Sequence, residues 1–391
     1  MLKYIALLLS FGFSLSLHAA IIPAPPEVAA RAHYLIDATT GHVIAENNAR
    51  ETLPPASLTK LMTSYVLAYE VERGRVSEDD LVLVSQNAWA QNPLFKGSSL
   101  MWLEPGMEVP VKELEKGIVI SSGNDATVAI AEHLAGNEAA FADMMNTHAQ
   151  RLGMIDSYFE NSHGLPSPNH RSSAHDLALL AKAIIEDFPT HYQIYSEREY
   201  TFNNIRQFNR NSLLGDDPSV DGLKTGYTSE AGYGLVSSAK RGDMRLISVV
   251  LGTESARLRA AETRSLLNYG FRFFETAELI AAGRELLKPE IWMGLSDYVS
   301  VGLIDAVTVT LPRGERRNVE QILTVNEPLT APVKVGDTVG SLTLTLDGEV
   351  LYQGPLQALE DIDEAGFFAR LWDRILMWID TLLSPAEEAS P

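Results

Sequence analysis

The sequence predicts an α+β fold: an antiparallel sheet covered by helices, followed by a small all-β domain and a C-terminal amphipathic helix. Three observations predict it. Up to about Ala277, helical segments mix with strands joined by hairpin-like turns, the pattern of a sheet with helices packed on it. Beyond that point the segments are short, β-branched and partly alternating. Phe367 to Leu383 then shows the cleanest helical asymmetry of the chain. At 391 residues the chain exceeds what one core usually organises, which suits more than one domain.

Lys3, the uncharged apolar run Tyr4 to Leu17 and the small pair Ala19-Ala20 form the arrangement of a secretory signal peptide over residues 1–20. An uncleaved N-terminal anchor is the alternative, because Leu17 or His18 stands where a small residue is usual. No other stretch approaches the ~18 uncharged apolar residues that cross a bilayer, so the mature chain is expected to be exported without spanning. Ile22 to Pro26 reads as an extended lead-in. His33 to Asp37 and His42 to Ala45 read as two strands around Thr39-Thr40-Gly41. A helix is expected from near Ala56, behind Pro54-Pro55, to about Arg73, with Gly74 ending it.

Val111 to Ile120 and Asp125 to Leu134 read as helices joined around Ser121-Ser122-Gly123, with Gly136 closing the second. Ser173-Ala-His-Asp176 matches a capping box before Leu177 to Ile185. Leu235 to Ala239 and Leu246 to Leu251 are strand-like, and Arg257 to Phe274 is helical. In the second domain, strands are expected at 299–301, 307–311, 321–325, 342–346 and 350–352, the last two flanking the hairpin signal Asp347-Gly348. The expected division is 1–20, 25–276, 278–362 and 364–384.

A formal net charge of −20 repels nucleic-acid phosphates, so no nucleic-acid partner is expected. With no cysteine, disulfides, thiol nucleophiles and Cys-ligated zinc or iron–sulfur centres are excluded. Nine histidines occur without H-E-x-x-H, and His163, His170 and His175 lack ordinary ligand spacing; no metal and no cofactor is expected.

Three motifs stand in order: Ser57-Leu58-Thr59-Lys60, Ser122-Gly123-Asn124 and Lys224-Thr225-Gly226. Singly, the first two are weak, since S-x-x-K recurs at Ser237–Lys240 and S-x-N at Ser85–Asn87 and Ser167–Asn169. Context selects among the copies. Ser57 opens a helix, whereas Ser237 falls in a strand. On a helix, positions i and i+3 share a face, which sets the Lys60 amine beside the Ser57 hydroxyl. A serine hydroxyl needs a neighbouring base to become a nucleophile. Lysine serves only if its pKa falls from ~10.4 towards neutrality, through burial and like charge. Apolar Leu58, Leu61, Met62 and Tyr65 supply burial, and Lys224 is expected to supply the charge. Lys60 is then neutral and basic, Lys224 charged and electrostatic.

The trio is the active-site set of class A β-lactamases and penicillin-binding proteins. The longer strings SLTKLMTSYV (57–66), SSGNDA (121–126), VDGLKTG (220–226) and GDMRLISVVLG (242–252) resemble the low-molecular-mass penicillin-binding proteins that are D-alanyl-D-alanine carboxypeptidases. The resemblance runs over about residues 30 to 383. It implies a β-lactamase/transpeptidase-like first domain and a hydrolase that removes the terminal D-alanine of peptidoglycan stem peptides through an acyl-enzyme, and that binds β-lactams covalently. Ser57 then resembles the nucleophile, Lys60 its base, Ser122 the relay to the leaving D-alanine and Asn124 the holder of the substrate amide. Lys224 and Thr225, within Lys224-Thr225-Gly226, resemble the pair that orients the terminal carboxylate, with Arg257 assisting. The N–H groups of Ser57 and Tyr227 resemble an oxyanion hole. Relatives commonly carry Thr or His where Tyr227 stands.

A class A-like β-lactamase is the nearest alternative, but no E-x-x-L-N lies between Ser122 and Lys224 to activate deacylating water. His163, in Asn161-Ser-His-Gly-Leu-Pro166, is expected to be structural. A muropeptide-binding morphology factor with vestigial turnover is the other alternative, and the intact serine–lysine set opposes it.

In the tail, Phe367, Phe368, Leu371, Trp372, Ile375, Leu376, Trp378, Ile379, Leu382 and Leu383 occupy one half of the helical wheel. Arg370, Asp373, Arg374, Asp380 and Thr381 occupy the other. Such a helix, ~25 Å long, is expected to lie flat on a membrane surface rather than to span it. With the leader, this places the protein peripherally on the periplasmic face of the bacterial inner membrane.

Overall fold

The computed structural model describes residues 22–383, so the expected leader at 1–20 lies outside the described residues. Strands β1 (Ala32–Asp37), β2 (Val43–Asn47), β3 (Val220–Thr228), β4 (Gly232–Arg241) and β5 (Met244–Thr253) form an antiparallel sheet in the order β2-β1-β5-β4-β3. Their side chains alternate between two cores. Tyr34, Ile36, Ile247, Val249 and Leu251 face the helical layer, while Leu35, Leu235, Leu246 and Val250 face a helix at 256–273. Every residue of β1 is buried, which is why this strand reads as an almost unbroken apolar run.

The helical layer is inserted between β2 and β3. Helix α1 (Lys60–Glu72) continues a 3-10 turn over Ala56–Thr59 and is buried on all sides through Ala68. Helices α2 (Val111–Val119) and α3 (Asn124–Ala135) follow, and Gly136 closes α3 at φ +80°. Helix α4 (Glu138–Arg151) was not expected. Asn137 caps it by accepting from the Ala140 amide at 2.9 Å, and Phe141, Ala142, Met145, His148 and Ala149 form its buried stripe. Helix α5 (Ala174–Asp187) is capped by Ser173, which accepts from the Asp176 amide at 3.1 Å. The reciprocal half of the expected box is missing: the Asp176 carboxylate instead accepts from the Asp156 amide and the Ser157 hydroxyl. Helix α6 (Ala256–Phe273) packs on the far face of the sheet.

The expected boundary at 276–278 falls inside a strand. β6 (Phe274–Ile280) leaves α6 without a linker and pairs with a strand at Val307–Pro312. Phe274 belongs to the core under α6, whereas Ala277 and Ile280 belong to a core of the second unit, so one strand serves both. The Asp37 carboxylate ties the units further by accepting from Thr310 Oγ1 at 2.8 Å and from Thr276 Oγ1. The second unit carries a five-stranded antiparallel sheet over 285–358. The strand expected at 299–301 is reduced to Val301–Gly302. Leu346 pairs with Glu349 across Asp347 (φ +51°) and Gly348 (φ +83°), the two-residue hairpin that Asp-Gly favours. Helix α7 (Phe367–Leu383) ends the described chain.

Candidate active site

The turn that carries Ser57 is tightly packed. Ala56 adopts φ +49°, an uncommon conformation for a residue with a side chain, and Ser57 follows it at the start of the 3-10 turn. A Cβ on Gly164 (φ +85°) would lie 1.8 Å from the Ala56 carbonyl oxygen. A Cβ on Gly226 would lie 3.0 Å from the Pro55 oxygen and 3.1 Å from Leu58 Cγ. These glycines let a loop and strand β3 press on the turn from two sides. Below it, buried Thr59 meets His170 Nε2 at 2.7 Å, while His170 Nδ1 accepts from the Glu160 amide.

Lys60 is almost fully buried, and its Nζ lies 3.1 Å from Ser57 Oγ, 2.6 Å from Asn124 Oδ1 and 2.7 Å from the His163 carbonyl. Burial pushes its pKa down to about 7; Asp125 opposes the fall and Arg210 reinforces it. Arg210 adds like charge to the Lys60 site, and Lys60 and Lys224 repel one another as well. Asp125 is itself buried, held by the amides of Met101, Leu103 and Ala126, and it fixes that loop against the start of α3.

Ser122 adopts φ +59°, a second left-handed residue with a side chain at the pocket. Its Oγ accepts from Lys224 Nζ at 2.9 Å. Lys224 is fully within the protein, and burial, Lys60, Arg210 and Arg259 together push its pKa well below the lysine range. Burial and like charge thus push both amines in the same direction, where the sequence leads one to expect Lys60 neutral and Lys224 charged. Lys224-Thr225-Gly226 lies mid-strand in β3, whereas Ser237 is buried in β4 and donates to the Gly222 carbonyl. Of the two S-x-x-K serines, Ser57 lines the pocket and Ser237 does not.

Ser57, Ser122, Asn124, Thr225, Gly226 and Tyr227 line one cleft of about 360 Å³. Arg257 does not. It is exposed in the first turn of α6, and Arg259, two residues on and so on the opposite face, lines the cleft instead. The buried stripe Arg259, Thr263, Leu266, Leu267 and Gly270 carries that information, because extending it backwards reaches 259 and skips 257. Arg210, after the hairpin at 199–208, also lines the cleft, and no periodic signal marks it. No Asp or Glu is among the lining residues, so the cleft is cationic.

His163 also lines the cleft, and its contacts are to the groups around it. Its carbonyl bonds Lys60, its Nδ1 accepts from the Leu165 amide, and burial with the nearby Lys60 pushes its pKa down to about 3. Asp156, His175 and Asp176 converge within 4.8 Å as metal ligands would. The Arg50 guanidinium already supplies a cation there, 3.1 Å from Asp156 Oδ2 and 3.1 Å from His175 Nε2.

Residues 19–255 match the family described as D-alanyl-D-alanine carboxypeptidase, and residues 274–364 match the penicillin-binding protein 5 C-terminal domain. The chain is 47% identical to the D-alanyl-D-alanine carboxypeptidase DacC of Escherichia coli (strain K12), over 90% of this chain and 89% of that protein. It is 46% identical to DacA of the same strain, over 91% and 89%. Among solved structures, penicillin-binding protein 5 from Haemophilus influenzae superposes with a TM-score of 0.82 at 39% identity, over 88% of this chain and 100% of that one. The cefotaxime-bound penicillin-binding protein D2 from Listeria monocytogenes gives 0.58 at 29% identity, over 64% and 100%.

Proposed function

The chain belongs to the D-alanyl-D-alanine carboxypeptidase family, and on that premise we propose how its own residues carry the reaction of a serine-type hydrolase. Ser57 Oγ attacks the carbonyl carbon of the penultimate D-alanine of a peptidoglycan stem peptide, and its proton passes to Lys60 Nζ. The peptide C–N bond breaks as Ser122, held by Lys224, gives its hydroxyl proton to the departing D-alanine amine and takes in its place the proton that Lys60 received, so that Ser122 is again an alcohol and Lys60 again a neutral base. Water then hydrolyses the ester on Ser57 and regenerates the enzyme.

The observation that carries this reading is the 3.1 Å approach of a fully buried Lys60 amine to Ser57 Oγ, with the amine's pKa pushed down to about 7. Lys60 has two shorter contacts, and both are to oxygens that can only accept. A neutral amine has two protons and one lone pair. Two donated bonds fix the protons and leave the lone pair for the serine proton. The terminal carboxylate of the substrate is assigned to Lys224, Thr225, Arg210 and Arg259. Asn124 is assigned to the substrate amide, and the main-chain N–H groups of Ser57 and Tyr227 to the oxyanion, each donor contributing roughly 3–4 kcal/mol in the transition state. A carboxylate entering this cleft also restores the charge of Lys224 by giving it a counterion.

β-Lactams acylate the same serine. The β-lactamase alternative needs a carboxylate to activate the deacylating water. Among the described residues no carboxylate lines the cleft, so the penicilloyl-enzyme is expected to deacylate slowly. The muropeptide-binding alternative is disfavoured because a binder needs no lysine held beside its serine.

The proposal extends to location. No helix among the described residues is long and apolar enough to cross a membrane. On α7, Phe367, Phe368, Trp372 and Trp378 are each more than half exposed, while Asp373 on the polar face accepts from the Met293 amide at 2.7 Å. The polar face thus docks on the second unit and the apolar face is left for a lipid surface. With the leader, this supports a peripheral position on the periplasmic face of the inner membrane.

The test is a Ser57→Ala variant incubated with a D-alanyl-D-alanine pentapeptide and with penicillin. D-alanine release and the covalent mass adduct should both vanish while the protein remains folded. An adduct that persists, or that maps elsewhere, rejects the assignment.

A further inference from the structure

Tyr227 and Tyr233 are directly opposed across β3 and β4, and their rings stack at 4.2 Å with an interplanar angle of 29°. Tyr233 stands between Gly232 (φ +69°) and Gly234, where the pairing of β4 with β5 shifts register. Tyr233 is paired with Thr253 on one side and Tyr227 on the other, and of the two only Tyr227 offers a ring to stack on. Over Tyr233, in turn, lies the Arg259 guanidinium, with Cζ 5.8 Å from the ring centroid. Arg259 has little else to orient it. Its buried Nε has no hydrogen-bond partner, and the contact from Nη1 to the Gly234 carbonyl is long at 3.4 Å. Guanidinium, ring and ring form one column along the pocket wall, and Tyr227, 53% exposed, is its outer member.

We propose that Tyr227 is a positioning residue for recognition of the substrate's terminal carboxylate: its ring fixes Tyr233, and Tyr233 fixes the Arg259 fork that faces the cleft. The proposal rests on the assignment of Arg259 to that carboxylate. It gives the Tyr227 side chain a role separate from its main-chain N–H, which any residue would supply. Burial pushes the Arg259 pKa down to about 10, with Tyr233 opposing the fall, so the guanidinium stays charged at neutral pH and needs placement rather than protonation.

The experiment compares two substrates, an N-acylated D-alanyl-D-alanine peptide and the same peptide with a C-terminal amide, on the wild type and on Tyr227→Ala, Tyr227→Phe and Arg259→Ala. For Tyr227→Ala, KM for the carboxylate peptide should rise roughly three- to ten-fold, the size of one lost aromatic contact, with kcat within about two-fold. Its kcat/KM should fall several-fold more on the carboxylate peptide than on the amide, so discrimination between the two substrates shrinks. Tyr227→Phe, which keeps the stack, should restore the wild-type KM. Arg259→Ala should shrink discrimination further. If Arg259→Ala does so and Tyr227→Ala does not, the column plays no part and the inference fails alone. If Arg259→Ala leaves discrimination intact, the carboxylate assignment fails with it. Equal slowing of both substrates by Tyr227→Ala also overturns the inference, because it marks damage to the oxyanion or nucleophile rather than to carboxylate recognition. Should Tyr227→Ala not fold, Tyr227→Thr removes the ring while keeping a β-branched residue suited to a strand.

Discussion

Lys60 takes its chemistry from where α1 begins. A helix buried on every side gives the amine no water, and the protonated form loses the solvation that keeps an ordinary lysine charged. The histidines around it are driven in the same direction. Burial lowers His163 to about 3 and His170 to about 4, so both stay neutral through the range in which Lys60 titrates. With Lys60 proposed as the base, an acid limb in the acylation rate is expected near pH 7 and is not expected from either imidazole. The sign follows from the role: the base must be neutral, so the rate rises as pH rises through the folded-state pKa. Most of this was legible in the sequence, because a serine and a lysine three apart at a helix start leave few alternatives for geometry. The arginines were not. Arg257 and Arg259 differ by about 200° around the helix, and a motif-based placement two residues out puts the charge on the wrong face.

At the scale of elements, the turn that carries Ser57 is held by backbone packing that a residue pattern does not announce. Gly164 and Gly226 are read in the sequence as parts of loops and motifs, yet each is there because another segment occupies the space of its side chain. Gly164→Ala should lower stability by about 2–4 kcal/mol, combining a positive φ with overlap on the Ala56 carbonyl, and should slow penicillin acylation. Gly153→Ala has the same backbone sign (φ +75°) but open space around it, and should cost only about 1 kcal/mol and leave acylation unchanged. Denaturant unfolding and acylation rates of both variants decide the matter; equal losses would deny the packing argument. The same blindness to tertiary neighbours explains the element that was missed. Helix α4 carries a cap and a stripe, Asn137 and then 141, 142, 145, 148 and 149, but the stripe uses Ala and His at core positions and so reads as weakly amphipathic. Strand β3, with its glycines at 222 and 226, was recognised only as a motif, because glycines weaken the strand signal that the edge position makes tolerable.

For the whole molecule, the two units share β6 and the bonds to Asp37, so the second unit continues the first rather than hanging from a linker. Composition shifts near Ala277 because the partner layers change there, yet one strand crosses the shift, and no composition signal resolves that. The tail is the reverse case. Its asymmetry is plain in the sequence, and the structure leaves Phe367, Phe368, Trp372 and Trp378 of α7 mostly exposed. Truncation after Ile362 should release the chain from sedimenting zwitterionic phospholipid vesicles while D-alanine release continues. Because Arg370 and Arg374 are balanced by Asp373 and Asp380, binding of the full mature chain should survive high salt. Unchanged sedimentation of the truncated chain would refute the anchor.

The account stands most directly on the pH dependence of Ser57 acylation by a β-lactam, followed by intact mass against time. Wild-type protein should show a rate that climbs through an apparent pKa near 7 and then levels. Lys60→Met should lose that limb and fall by roughly 10²–10⁴-fold. A wild-type rate that is flat from pH 5 to 9, or a variant that keeps the limb, would contradict the assignment of Lys60 as the base.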